Sequence, residues 1–293
     1  MRLGLVVNST AGRGKAGKRL EELSGEINSA GHQLEHLSGN NFLEALDRAK
    51  AAIASASIDG LVVVGGDGMA HLGANACAGT DVPLAIVPRG TGNDTARTLG
   101  IPLGDQTVSH LLSRLGQPRA IDVMRVTTTR GDFYALGTVS AGFDALVNQR
   151  ANSMRFPKGP SRYQVAMVAE LANFKPRTYR VTIDGQTREL NATLCVVANG
   201  PSFGGGMLIA PDARLDDGLL DLFIVKQVSR PELLRIFPKV YTGSHVGHPA
   251  VEFARGKSMQ IEAIDMPAFA DGEAVGFAPV SATVMPGALK VFA

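Results

Sequence analysis

Hydrophobic and polar positions divide this chain into two stretches of different rhythm. Up to about residue 120, short continuous apolar runs alternate with segments whose apolar residues recur every three or four positions. Leu3–Val7, His32–Leu37, Leu61–Val64 and Val82–Val87 are of strand length, and such runs fit strands buried on both faces. Between them, Leu20, Leu23 and Ile27, then Leu43, Leu46, Ala49 and Ile53, fall at helical spacing. A helix is expected over Ala70–Ala78, and another through Val108, Leu111, Leu112 and Leu115 until Gly116-Gln-Pro118 breaks it. This alternation predicts a Rossmann-like α/β domain with a parallel sheet. From Ile121 onward strands dominate: Ile121–Thr127, Phe133–Val139, Arg177–Ile183, Ala192–Val197, Leu219–Val225 and shorter ones after Ser258. Turn signals at Arg130-Gly131, Asp184-Gly185 and Asp271-Gly272 separate strands, predicting an antiparallel β-sandwich domain. One helical piece interrupts it, from the capping Ser229, with Pro231 in its first turn, to about Lys239. The expected organisation is a nucleotide-binding α/β domain over 1–120, to which residues 286–293 return, and a β domain over 121–285.

Three of the early strands run into glycine-rich polar loops, and in an open α/β sheet such carboxyl ends converge on the ligand crevice. After Leu61–Val64 come Gly65, Gly66, Asp67, Gly68 and Met69. Glycines turn the backbone sharply there and present N–H groups to an anion, with a helix N-terminus opening behind them. After Val87, the segment Pro88–Asp94 sets Gly90, Thr91, Asn93 and Asp94 on one tight turn. The loop after Leu3–Val7 holds Asn8, Ser9, Thr10, Ala11 and Gly12, followed by Gly14 and Gly17. Gly12, Gly14 and Gly17 satisfy the dinucleotide fingerprint, with Glu35 near the end of the next strand. Gly17-Lys18 also approaches a P-loop, but Arg19 stands where the magnesium-binding hydroxyl belongs. The loop is expected to touch phosphate, the nucleotide being left open at this point.

Composition bounds these readings. With 293 residues and 45% hydrophobic content the chain can bury a sizeable core. A net charge of +2 gives no ground for a nucleic-acid partner. Two cysteines, Cys77 and Cys195, form neither a disulfide framework nor a zinc spacing, which fits a cytoplasmic protein. No apolar run approaches the roughly 20 residues a membrane span needs. Between Arg150 and Arg180, however, seven basic residues stand against one acid, Glu170, with Met154, Phe156, Tyr163, Val165, Met167 and Leu171 interleaved. Such a segment suits either a solvated helix face or a peripheral contact with anionic headgroups at the inner membrane surface.

Six motifs then appear in one order: Gly65–Gly68, Pro88–Asp94, Ala141-Gly-Phe-Asp144, Phe203–Gly206 with Ala210-Pro211, Leu215–Asp221, and Asp271-Gly-Glu273. In these the chain resembles the diacylglycerol kinase catalytic-domain family, soluble bacterial lipid kinases whose relatives include the sphingosine and ceramide kinases. The resemblance implies transfer of the γ-phosphate of ATP, with Mg2+, to a lipid bearing a free hydroxyl, at an active site in the cleft between two domains. It implies nucleotide contacts at Asn8–Gly12, at Gly65–Met69 with Leu72, and at Gly90, Thr91 and Asn93. It assigns Asp67, Asp94 and Asp122 to a magnesium-and-water network, and Asp217 to a second metal completed by the carbonyls of Arg214 and Leu219. Glu273, beside Asp271, matches the general base. The chemistry agrees: phosphoryl transfer needs charge neutralisation and an oriented nucleophile, and a partly buried carboxylate is a suitable base for a hydroxyl.

The chain departs from the family pattern at Met69 for a threonine, Leu72 for an acid and Ser9 for a proline. Met69 motivates a rival reading, a nucleotide-binding regulatory protein with weak or lost activity. NAD kinase, which shares the Gly-Gly-Asp-Gly turn, is a second rival, against which the Thr91–Asp94 loop and Leu215–Asp221 argue. A dinucleotide oxidoreductase reading gives no role to Asp67 or Glu273.

Overall fold

Four parallel strands carry the first half of the chain; three are short apolar runs that leave little choice but burial, and the fourth, Gln33–His36, lies at the edge and is mostly exposed. The computed structural model describes residues 1–7, 15–156, 161–173 and 177–293. Within these the chain divides into two units, Met1–Val123 with Pro286–Ala293, and Met124–Met285.

In the first unit, β1 (Arg2–Val7), β2 (Gln33–His36), β3 (Gly60–Gly65) and β4 (Leu84–Pro88) are all in parallel register, Leu5 opposite Val62 and Val62 opposite Ala85. Residues pointing one way (Leu3, Leu5, Val62, Val64, Ala85, Val87) form one core with Leu23 and Ile27 of α1 (Lys15–Ser29). Val108 and Leu111 of the helix Gln106–Arg114 join the same core. Two further helices are α2 (Phe42–Ala54) and α3 (Asp67–Cys77), which pack on each other. The Asn41 side chain caps α2 by accepting from Glu44 N at 3.0 Å, while Glu44 reaches back to Asn40 N at 2.8 Å. Each bond removes an orphan donor at the helix start. A five-residue helix, α4 (Asp94–Thr98), precedes Gln106–Arg114, numbered α5. The chain's end returns: Val291 pairs with Leu84, and Phe292 is buried in the same core as Leu3 and Val62.

The second unit is antiparallel. Its strands are the latter part of β5 (Arg119–Thr128), β6 (Gly131–Ala135), β7 (Thr138–Ser140), β8 (Arg177–Ile183), β9 (Gln186–Ala198) and β10 (Leu220–Lys226). They are followed by β11 (Val251–Gly256), β12 (Ser258–Glu262), β13 (Pro267–Ala270), β14 (Glu273–Phe277) and the start of β15 (Val280–Val291). Strand β9 is long enough to serve three partners, pairing first with β8 and then with β10 and β7. Its alternation shows in the cores: Cys195 and Val197 join one cluster with Tyr179, Leu222 and Ile261. Val196 and Ala198 face the other way, onto Phe223, Ile209 and Ile236. Cys77 and Cys195 are free and buried, and burial pushes both thiols up to about 12.

Three sequence expectations are corrected here. The second half holds more helix than the single piece expected after Ser229: α6 (Phe143–Ser153) and α7 (Ser161–Asn173) pack together in its middle. The predicted strand Phe133–Val139 is broken at Leu136-Gly137 into β6 and β7. The helix expected from Ala70 starts at Asp67, inside the glycine motif. The predicted piece after Ser229 is α8 (Arg230–Ile236), continued by a 3-10 turn to Tyr241.

Candidate active site

The first unit brings the ends of β3 and β4 into direct contact. Arg89 N donates to Gly65 O at 2.8 Å, extending the β3–β4 pairing into the loops. Beyond it the two turns touch backbone to backbone: a Cβ on Gly90 would lie 2.4 Å from Gly66 Cα, and one on Gly66 would lie 3.0 Å from Gly90 Cα. Only glycine at both positions permits this approach. The second turn closes on itself, Gly90 N donating to Asn93 Oδ1 at 2.9 Å and Asn93 Nδ2 to Gly90 O at 2.8 Å. That reciprocal pair holds Asn93 at φ 55°, a left-handed conformation that asparagine tolerates better than most residues.

Asp67 ties the turns together a second time. It is the first residue of α3, where a carboxylate complements the positive end of the helix, and its Oδ1 accepts from Thr95 N at 3.0 Å. Asp67 thus satisfies an N-terminal donor of α4, a bond that the cap residue Asn93 does not make. Gly66, Asp67 and Gly68 are partly exposed and Thr91 is exposed, whereas Asn93 and Asp94 are buried. Met69 and Leu72 are also buried, at 8% and 1% exposure. Met69 N donates to Gly66 O at 2.9 Å.

Asp122 lies within β5 at 3% exposure, and its Oδ1 accepts from Gly287 N at 2.8 Å. It therefore anchors the returning end of the chain inside the first unit. The expected residues Asn8, Ser9, Thr10, Ala11 and Gly12 lie outside the described residues. Among the described residues, no three His, Cys, Asp or Glu side chains converge closely enough to hold a metal ion unaided.

In the second unit, Asp271 explains the break between β6 and β7. Its Oδ2 accepts from Leu136 N at 2.8 Å, and its Oδ1 from Gly137 N at 2.8 Å and Thr138 N at 3.1 Å. Three successive N–H groups go to one carboxylate instead of a ladder, so the strand cannot continue through them. Glu273, two residues on, opens β14 at the edge of the sheet and is exposed. The partial burial expected around it is not observed, because an edge strand starting just after a two-residue turn has no neighbour over that position. Asp217 accepts from Leu219 N on Oδ1 at 3.1 Å and from Arg255 Nη2 on Oδ2 at 2.6 Å. Arg214 pairs outward with Asp216 at 3.2 Å.

Sequence reasoning quoted Asp144 only as part of a motif, yet it is the most perturbed carboxyl of the second unit. It sits in the first turn of α6 with both oxygens buried. Burial pushes it up to about 6, partly offset by the nearby Ser140 hydroxyl and Ala145 N–H, neither of which completes a hydrogen bond of ordinary geometry. An unfolded carboxyl titrates near 3.8. Between those values the folded protein holds a proton that the unfolded chain releases, so stability falls as pH rises from about 4 to 6 and stays lowered above. Two pH units correspond to at most about 3 kcal/mol. The difference in Tm between Asp144→Asn and wild type is therefore expected to shift by about 5 °C in favour of the variant between pH 4 and pH 7.5. Thermal melts across that range measure it, and parallel curves would remove the assignment.

The basic segment is partly self-neutralised. Arg150 pairs with Glu170, and Arg180 with Glu189 at 3.2 Å. Lys158 and Lys175 lie outside the described residues. Arg155 and Arg177 are exposed, as are Phe156 (83%), Val165 and Val168, while Met167 packs against Phe143. No helix among the described residues is long and apolar enough to cross a membrane.

Residues 2–126 match the diacylglycerol kinase catalytic domain, and residues 137–293 match the YegS C-terminal NAD kinase beta sandwich-like domain. A diacylglycerol kinase of Mycobacterium tuberculosis is 37% identical over 289 residues, covering 98% of this chain and 93% of that one. A Bacillus subtilis diacylglycerol kinase is 26% identical over 278 residues, covering 94% and 90%. In fold, the crystal structure of a diacylglycerol kinase from Bacillus anthracis superposes with a TM-score of 0.73 at 22% identity, covering 99% of this chain and 96% of that one. An α/β unit whose strand ends carry paired glycine turns, joined in one chain to a β-sandwich-like unit, is the architecture of a two-domain kinase. This chain belongs to the diacylglycerol kinase family.

Proposed function

We propose that this protein is a lipid kinase that moves the γ-phosphate of ATP to the free hydroxyl of a diacylglycerol-like lipid. The observation that carries the reading is the interlock of Gly66 and Gly90, which sets two strand-end turns and Asp67 in one fixed arrangement. The 37% identity to a diacylglycerol kinase along nearly the whole chain supports the choice of acceptor.

In this reading, Gly65–Gly68 and Gly90–Asn93 with Thr91 cradle the phosphates, and Asn8–Gly12 also contact the nucleotide. Met69 and Leu72 serve as the packed floor of the turn, so the missing threonine hydroxyl is replaced by stability from beneath. The donor set fits magnesium rather than a protein-caged metal: magnesium takes one or two carboxylates and completes its octahedron with water and phosphate oxygens. Asp67, on the partly exposed turn, is the carboxylate best placed to hold it, with Asp94 behind the second turn and Asp122 fixing β5. When bound, the ion neutralises charge at the phosphates. Glu273 accepts the proton of the lipid hydroxyl, and Asp271 positions it by pinning Leu136–Thr138 to the same turn. Arg155 and Arg177, together with the exposed Phe156, Val165 and Val168, form the contact with an anionic membrane surface from which the lipid is drawn.

The test is an incubation with ATP, magnesium and, as acceptors, diacylglycerol, phosphatidylglycerol, a sphingoid base and NAD, the lipids carried in vesicles with and without anionic lipid. Phosphorylated diacylglycerol is expected, formed faster on anionic vesicles. Phosphorylated NAD would overturn the acceptor, no product would support a regulatory role, and equal rates on neutral vesicles would remove the membrane contact.

A further inference from the structure

Asp217, the side chain that family resemblance assigns to a second metal, is paired with another side chain of the protein itself. Arg255 on β11 lies directly opposite Asp221 on β10. Its Nε donates to Asp221 Oδ1 at 3.0 Å and its Nη2 to Asp221 Oδ2 at 3.4 Å. The same Nη2 reaches Asp217 Oδ2 at 2.6 Å. The other Asp217 oxygen accepts from Leu219 N at 3.1 Å, within its own turn. Each Asp217 oxygen therefore already takes a donor, and the nearer of the two is charged.

We propose that the Arg255 guanidinium stands in this chain where its relatives' pattern calls for a divalent ion, so that the Leu215–Asp221 segment is locked without metal. A magnesium ion demands oxygen lone pairs at about 2.0–2.1 Å in near-ideal octahedral geometry. Binding one at Asp217 would require displacing Arg255 or setting two cations side by side, which repel strongly at such separations. An ordinary surface ion pair would be worth little, but this one is forked onto Asp221, which is only 5% exposed. The guanidinium thus sets one positive charge between two carboxylates, the buried Asp221 and its neighbour Asp217, which would otherwise face each other unpaired. Arginine is the side chain for this work, because its planar fork spans two carboxylates while carrying one positive charge.

The experiment is a set of thermal melts without nucleotide or lipid, in millimolar magnesium and in EDTA, on wild type, Arg255→Gln and the double variant Arg255→Gln/Asp217→Asn. Wild type is expected to melt within about 1 °C of the same temperature in both buffers, and Arg255→Gln to melt about 5 °C lower in EDTA. Magnesium is expected to restore at least half of that loss in Arg255→Gln and none of it in the double variant. A wild-type shift with magnesium that vanishes in Asp217→Asn would overturn the proposal. So would an Arg255→Gln variant that melts like wild type, or one that magnesium does not rescue. If Arg255→Gln does not fold, a Mn2+ titration of wild type followed by electron paramagnetic resonance decides: a bound ion that is lost in Asp217→Asn overturns it, and its absence upholds it. No phosphoryl transfer enters these measurements, so their failure and that of the lipid-kinase reading are separable.

Discussion

A Gly90→Ala variant is expected to melt about 8 °C below wild type and to lose at least about 100-fold in phosphoryl transfer. The new Cβ would sit 2.4 Å from Gly66 Cα and 3.1 Å from Gly66 N, so the collision is with backbone and no rotamer relieves it. One turn must move, and overpacking of this kind costs about 3 kcal/mol. Movement also breaks the Asn93 clamp, whose Oδ1 lies 3.0 Å from the same Cβ, and separates Asp67 from Thr95. Circular-dichroism melts and an initial-rate assay measure both effects. A variant with wild-type stability and rate would show that the two turns are not the shared framework of the phosphate site.

Glu273→Gln is expected to lower kcat about 10²–10⁴-fold while leaving Tm within about 1 °C of wild type. Its side chain is exposed on an edge strand, so removing the charge disturbs little of the fold. Asp271→Asn is expected to behave oppositely, with a clear loss of stability. An amide offers one acceptor oxygen where the carboxylate now serves Leu136, Gly137 and Thr138, and leaves a donor facing an N–H. The pair thus separates two neighbours that the sequence treats alike, one proposed to touch substrate and one to position it. Undiminished turnover in Glu273→Gln would remove the base assignment.

Much of the first unit was legible because its physics is local. A strand buried on both faces must be an apolar run, and Leu61–Val64 and Leu3–Val7 are that and little else. The glycine turns were legible as phosphate loops, but not their interlock, which depends on Gly66 and Gly90 meeting in space. Helix α6 was not legible, and α7 only as one of two readings of the basic segment. Their apolar residues (Phe143, Leu146, Val147, Val165, Met167, Val168) form no clean stripe, because both helices are only partly covered. The break in Phe133–Val139 depends on Asp271, more than 130 residues away, and no local pattern could announce it. The burial of Met69 was not legible for a related reason: at the N-terminus of a helix the third residue can point inward, and here it does. Arg255 carried no motif at all, and only its register opposite Asp221 reveals its function in the fold.

Transfer of label from γ-³²P-ATP into a lipid extract tests the central claim most directly, with wild type and Asp67→Asn run side by side in magnesium. The account predicts label in the organic phase as phosphorylated diacylglycerol for wild type, and a loss of at least about 100-fold for Asp67→Asn with Tm lowered by no more than about 3 °C. Label that stays in the aqueous phase with wild type, or passes equally into lipid with Asp67→Asn, would contradict it.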